Sequence, residues 1–301
     1  WRYSPSLFRE WSVQDLFEPG STFKPINLAL ALEVGVIKPG GTINDTGKLF
    51  VGGWPIYNHD RSVNGVIDYP KILQVSSNVG MVKTMRQLKP SLYWDWLHKL
   101  GLDSRLETDL PGAIAGQLKG KGQFVSQPIE QATAAFGQGF SLTPIKLAQL
   151  HALIANGGNL ITPHITKGLL AGDTLATRTH LQSQKLLSPE VTRVVRVWME
   201  SVVDVGSGRG AKTPGYRIAG KTGTAQKALG GEYQAGLKTC SFVAVFPLDN
   251  PRYVVLVVVD EPLGENAYGS TVAVPVAKDI IDGLLVLEKI PPSNNQQDWQ
   301  P

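Results

Sequence analysis

The sequence predicts a mixed α/β (α+β) domain, in which helices cover an antiparallel sheet and a mostly helical part is inserted between the pieces of the α/β part. Three observations carry this reading. Strand patterns gather in the last third, at 216–225, 241–247 and 252–260, and Asp249-Asn250-Pro251 marks a tight reversal that makes the last two antiparallel. A helical pattern from about Val272 to Leu287 follows and is placed to cover one sheet face. The first two thirds carry helix patterns separated by turn-rich stretches, with no repeat and no linker composition between 21 and 290.

Residues 1–20 show no clear period and read as an extended connection packed on the domain. A helix from Ser21 to about Glu33 follows, apolar nearly all round through Ile26, Leu28, Ala29, Leu30 and Leu32, as suits a buried central helix. Gly35 is its stop. The Gly-, Pro-, Asn- and Asp-rich stretch 38–70 reads as a surface excursion with short strands at Phe50-Val51 and 54–57. Two helical patterns then meet at 76–78, the second reaching Leu88, and an amphipathic helix over 93–101 ends at a glycine. Residues 102–130 read as loop. Thr143 caps a helix that has Pro144 at its first position and ends at Asn156-Gly157-Gly158. Residues 160–187 read as loop and short strand, and Pro189–Val203 as an amphipathic helix. The polar tail 291–301 is expected to be disordered, which leaves 1–290 as one domain.

Of 301 residues, 42% are hydrophobic and 18% charged, which suits a globular chain with a substantial core. The net charge of +4 is spread along the chain, without the interleaved aromatic residues of a base-stacking platform, so no nucleic-acid partner is expected. One cysteine, Cys240, excludes an intrachain disulfide and a cysteine-rich metal site, and its apolar strand pattern makes it core filler. His98 reads as a surface helix residue, since no second ligand type repeats at metal spacing nearby.

The chemistry concentrates in three short segments. Ser21 and Lys24 stand three residues apart at a helix start, so they share a face, and the amine can serve the hydroxyl as a base if its pKa is lowered. Gly20 permits a tight entry and Pro25 falls among donors that lack an intrahelical partner. Alone, the tetrapeptide also fits a serine near a helix cap. Ser76 and Asn78 sit at a join between helices, where capping is equally open to them. Lys221-Thr222-Gly223-Thr224 lies on a strand, and Gly223 allows the close approach that an edge strand binding an extended peptide requires. The Phe136-Gly137-Gln138-Gly139 turn does not join a strand to a helix in a βαβ unit, so it reads as close backbone approach to another element or a ligand.

Ser-x-x-Lys, Ser-x-Asn and Lys-Thr-Gly in this order are the set shared by penicillin-binding proteins and class A β-lactamases. With Glu18–Lys24, Ser76–Gly80, Phe136–Gly139, Thr143-Pro144, Ala155–Gly158, Gly220–Lys227 and Asn250–Pro262, the chain resembles the transpeptidase domain of class B penicillin-binding proteins, most of all the division-associated type. The resemblance implies the penicillin-binding/β-lactamase-like serine transpeptidase fold. It also implies a D,D-transpeptidase that cross-links stem peptides ending in D-Ala-D-Ala through a serine acyl-enzyme and is acylated by β-lactams. It assigns catalytic roles to Ser21, Lys24, Ser76, Asn78 and Lys221, and substrate binding to Thr222, Gly223 and Thr224. No metal or cofactor is implied. Cell-division proteins are expected as partners, and an anchored, periplasm-facing setting at a bacterial inner membrane is expected for the whole protein. Twenty residues precede Ser21, fewer than family members place there, so an N-terminally truncated domain is expected.

Three other readings share the nucleophile. A serine β-lactamase needs fast deacylation by water, and no Glu-x-x-x-Asn-type segment is present to position that water. Asn78 argues against the class that uses a carboxylated lysine. A D,D-carboxypeptidase hydrolyses where a transpeptidase cross-links, and a sensor binds β-lactam without turnover.

Overall fold

The computed structural model describes residues 4–172, 174–177, 183–229 and 232–293. A short helix α1 (Trp11–Gln14) and a 3₁₀ turn over Gly20–Phe23 lead directly into α2 (Lys24–Glu33). Residues 4–20 are thus partly helical, where an extended connection was expected. Every residue of α2 from Lys24 to Ala31 is buried, in agreement with its all-round apolar pattern.

The excursion after α2 forms two small antiparallel pairs. In one, β1 (Thr42–Asp45) lies beside β4 (Gly65–Asp68), and in the other β2 (Lys48–Val51) lies beside β3 (Trp54–Tyr57). Next come α3 (Tyr69–Gln74), α4 (Asn78–Met85) and α5 (Pro90–Lys99). Within the stretch read as loop, α6 (Lys121–Ser126) forms, and α7 (Pro128–Ala135) begins at its end. The side-chain amide of Asn27, on α2, donates to the carbonyls of Ala134 and Ala135 at 2.9 Å each, so a distant buried residue satisfies the end of α7.

The helix α8 (Pro144–Ala155) is capped by Thr143 as expected. Short strands β5 (Asn159–Ile161), β6 (Gly168–Ala171), β7 (Thr174–Thr177) and β8 (Ser183–Lys185) pair as β5 with β8 and β6 with β7. The amphipathic α9 (Pro189–Asp204) then packs its buried Val195, Trp198, Met199 and Val202 on the main core.

The sheet consists of β9 (Ala219–Leu229), β10 (Glu232–Phe246) and β11 (Tyr253–Asp260) in the antiparallel order β11-β10-β9. The first two strands are longer than their sequence patterns. A π-helical turn, Gly269–Ala273, opens α10 (Val274–Leu287), which lies on the sheet and closes a second core with Phe242, Ala244, Phe246 and Ile281. Ser293 N donates to the Gly215 carbonyl at 2.8 Å and ties residues 291–293 to the domain; the rest of the expected tail, 294–301, lies outside the described residues. Among the described residues no helix is long and apolar enough to cross a membrane.

Candidate active site

The 3₁₀ turn that carries Ser21 is gripped from two sides. Gly20 has φ +55°, its N–H donates to the Gly137 carbonyl at 2.9 Å, and a Cβ on Gly137 would stand 2.1 Å from the Gly20 oxygen. That is the close backbone approach expected of the Gly-Gln-Gly turn. From the other side the edge strand β9 comes in at Gly223, where a Cβ would meet the Thr22 side chain at 3.0 Å and the Pro19 carbonyl at 3.2 Å. A side chain at Gly137 pushes the Gly-Gln-Gly turn off the Ser21 turn, and one at Gly223 crowds Ser241 Oγ, 2.4 Å away, as well as the Ser21 turn. Ser21 itself is half-buried, at the surface of the cleft between them.

The Ser76 and Asn78 segment separates capping from chemistry. Ser77, between them, is the N-cap of α4, and its Oγ accepts from Gly80 N at 2.7 Å. Ser76 has φ +57°, in the left-handed region, and its hydroxyl turns into the cleft. There Ser76 Oγ lies 3.2 Å from Lys24 Nζ and 3.1 Å from Lys221 Nζ. The cleft therefore brings together the second serine and both lysines, three residues far apart in sequence.

The hydrogen bonds of Lys24 define its orientation. Its Nζ donates to the Ser76 carbonyl at 2.5 Å and to Asn78 Oδ1 at 2.8 Å. Asn78 Nδ2 donates to the Tyr57 carbonyl at 3.1 Å, which fixes the amide with its oxygen towards the lysine. Both lysine partners can only accept, so they take two N–H groups. The lone pair of a neutral amine is thereby left for a hydroxyl. The sequence reading put that amine beside the Ser21 hydroxyl, but Ser21 Oγ is not among its hydrogen-bond partners, and the hydroxyl that it does bond is that of Ser76.

Both lysines are fully buried, and burial disfavours their charged forms. Burial, reinforced by the neighbouring Lys221, holds the Lys24 amine well below the ordinary lysine value, while Asp45 pulls the other way. Burial also brings Lys221 down to about 7. A neutral lysine near physiological pH is what a base requires.

The third segment is placed as an edge strand among the described residues, paired on its inner side by β10 with Gly223 opposite Ser241 and Thr224 opposite Cys240. Thr222 Oγ1 shares a hydrogen bond of 2.6 Å with Ser207 Oγ, and Thr224 Oγ1 accepts from Gly269 N at 3.0 Å. Ser207 was not anticipated, because it lies in an ordinary glycine-rich turn fifteen residues earlier. Asp45, Asn58 and Ser77 were also missed; they form a buried polar cluster under the Ser76 turn, and their local sequence signals turns and caps, nothing more.

Comparison with known proteins agrees with this geometry. Residues 2–282 match the family model described as the penicillin binding protein transpeptidase domain. A curated relative, the peptidoglycan D,D-transpeptidase FtsI homolog of Mesostigma viride, is 41% identical over 310 residues, covering 95% of this chain and 52% of the relative. The chain spans about half the length of the curated relatives that it matches. Among solved structures, the transpeptidase domain of Burkholderia pseudomallei penicillin-binding protein 3 superposes with a TM-score of 0.84 at 33% identity, covering 95% of this chain and 84% of that one. Penicillin binding protein 3 of Mycobacterium tuberculosis, complexed with aztreonam, gives a TM-score of 0.86 at 29% identity, covering 94% and 65%. The expected fold class is borne out, and the chain belongs to the penicillin binding protein transpeptidase domain family.

Proposed function

We propose that this domain is a serine-type peptidoglycan D,D-transpeptidase, acylated at Ser21 by stem peptides ending in D-Ala-D-Ala and by β-lactams. One observation carries the reading: the Ser76 hydroxyl stands within 3.2 Å of two buried lysines, beside a half-buried serine three residues ahead of one of them. Its family, and the name of the 41% identical relative, supply the substrate class.

Ser21 Oγ attacks the carbonyl of the penultimate D-Ala, and its proton passes to neutral Lys24. The contact between Lys24 and Ser21 forms on substrate binding, since hydrogen bonds to a reacting group commonly tighten in the complex. Ser76, bridging Lys24 and Lys221, carries the proton to the leaving amine as the C–N bond breaks and terminal D-Ala departs. Asn78 holds Lys24 and receives the donor peptide amide. Thr222 and Thr224 take the substrate carboxylate, helped by Lys221, along an edge strand that Gly223 lets come close. The oxyanion forms against the backbone N–H groups of Ser21 and Thr224, and each such donor is worth roughly a hundredfold to a thousandfold in rate. An amine of a second stem peptide then attacks the ester, gives up its proton and frees Ser21. Because peptidoglycan is the substrate, the domain works outside the cytoplasmic membrane, and the resemblance of Gly220–Lys227 and Asn250–Pro262 to the division-associated type favours a division role, with division proteins as partners.

Intact mass spectrometry of the chain mixed with benzylpenicillin tests the proposal. A stable one-to-one adduct mapped to Ser21, absent in Ser21→Ala, is expected. An adduct on Ser21→Ala would overturn the nucleophile assignment, and rapid loss of adduct with drug hydrolysis would indicate a β-lactamase.

A further inference from the structure

The excursion 38–70 looks, in sequence, like a surface decoration without a task. Two of its polar residues are nevertheless among the most buried in the molecule, since Asp45 is 0% and Asn58 3% exposed. The Asp45 carboxylate makes no ion pair among the described residues and is instead surrounded by neutral donors. Gly47 N at 2.8 Å, Asn58 Nδ2 at 2.8 and 3.0 Å, Asn64 Nδ2 at 2.6 Å and Ser77 Oγ at 2.7 Å all point at it. Asn58 passes this order on. With its Nδ2 held by Asp45 and the Ser62 carbonyl, its Oδ1 faces the start of α4 and accepts from Asn78 N at 2.9 Å and Val79 N at 3.2 Å. The Tyr57 carbonyl, next in the chain, accepts from Asn78 Nδ2.

These contacts bracket the Ser76 turn. Ser77 is pinned through its hydroxyl, Asn78 through its N–H and its side-chain amide, and Ser76, just ahead of them, keeps a left-handed φ that an ordinary residue holds only where its surroundings enforce it. The oxygens that receive the Lys24 amine are the Ser76 carbonyl and Asn78 Oδ1, which are the groups this bracket aims.

The geometry assigns Asp45 and Asn58 as positioning residues that hold the Ser76–Asn78 turn in register with Lys24. The assignment rests on the proposed acylation chemistry at Ser21. Asp45 has a second effect, through charge. The charged groups acting on Lys24 are Lys221 from β9 and Asp45 from β1, and they oppose one another. Burial works against ionisation of Asp45, but the bonds from Ser77, Asn64, Gly47 N and Asn58 outweigh it and keep the carboxylate ionised. Removing its negative charge therefore lets Lys24 shed its proton at lower pH.

The test is the second-order rate of acylation by a fluorescent penicillin, measured from pH 5 to 10 for wild type, Asp45→Asn and Asn58→Ala, each first checked for a cooperative melt. Asp45→Asn is expected to acylate about 100-fold more slowly at its best pH, the scale of loss from a misplacement of about 1 Å, with its acid limb moved to lower pH. Asn58→Ala is expected to lose rate without that shift, since no charge is removed. Should Asp45→Asn fail to fold, Asn64→Ala at the half-buried rim takes its place, with a several-fold loss expected. Wild-type-like rates and an unmoved acid limb in the folded variants would overturn the assignment while leaving Ser21 as nucleophile. No acylation of wild type at Ser21 would instead overturn the transpeptidase reading beneath it.

Discussion

His151 Nε2 lies 2.9 Å from the carbonyl oxygen of Thr22, the residue after Ser21, so α8 supports the Ser21 turn from below. The carbonyl can only accept, which makes Nε2 the protonated nitrogen and leaves Nδ1 buried without a partner among the described residues. Burial outweighs this contact and pushes the imidazole down to about 4, so it is neutral at working pH. Between pH 6.5 and about 4 the unfolded chain binds a proton that the native residue refuses, so stability falls as pH falls through that window, by at most about 3 kcal/mol from this group. His151→Leu should remove the slope but strand the Thr22 carbonyl, costing about 1–3 kcal/mol at pH 8. Urea denaturation of both proteins at pH 5 and 8 reads both effects.

Lys221 opposes protonation of Lys24. In Lys221→Met the Lys24 amine regains a higher pKa, and the acid limb of acylation should move to higher pH, opposite to the shift expected on removing Asp45. Stability should respond as well. With a native value of about 7 against 10.5 for an exposed lysine, the unfolded chain holds the extra proton between those values, so wild-type stability rises with pH there. Lys221 contributes up to about 1.4 kcal/mol per pH unit to that slope, and the Met variant should lose this share while Lys24, also held below the ordinary lysine value, keeps its own. Denaturant titrations at pH 7.5, 8.5 and 9.5 measure this.

Gly137 carries φ +85° and touches the Gly20 carbonyl. Gly137→Ala should therefore cost about 1–3 kcal/mol in backbone conformation alone. The clash adds displacement of the Ser21 turn, so acylation should fall further than the lowered melting temperature explains. Equal stability and rate in this variant would mean that the two turns are not coupled.

Ser77 and Asn78 allow cap and chemistry to be separated. Ser77→Ala should lower the melting temperature, because it removes an N-cap worth about 1 kcal/mol and a donor to Asp45. Asn78→Ala should keep most of the stability and lose most of the acylation, since its side chain faces Lys24 and the cleft. Thermal melts run beside penicillin acylation give the comparison.

What the sequence made legible was what its neighbours in the chain determine. Thr143 and Pro144 announce α8 within two residues, and the apolar run from Ile26 to Leu30 announces a buried helix. The three chemical segments were visible because each keeps its spacing inside four residues. Asp45 and Asn58 act across gaps of 13 to 32 residues, and Asn44-Asp45-Thr46-Gly47 taken alone signals a turn. Helices α6 and α7 were hidden for a similar reason. The six residues of α6 are too few to show a period, and the carbonyls that end α7 are satisfied by Asn27, about 107 residues away. The bond from Lys24 to the Ser76 hydroxyl was not legible, because the left-handed turn at Ser76, which brings that hydroxyl in, is imposed from outside its own segment.

The burial of residues 24–31 without exception has a dynamic consequence. The turn that presents Ser21 is the leading end of the most enclosed helix of the molecule, so its amides have no local route to solvent. Deuterium should reach the N–H groups of residues 27–31 at the rate at which the whole domain opens, while the ends of the small β2–β3 hairpin exchange far sooner. The Ser21 turn thus shares the lifetime of the native state itself, and a weakened core removes competent molecules from the population without slowing those that remain folded.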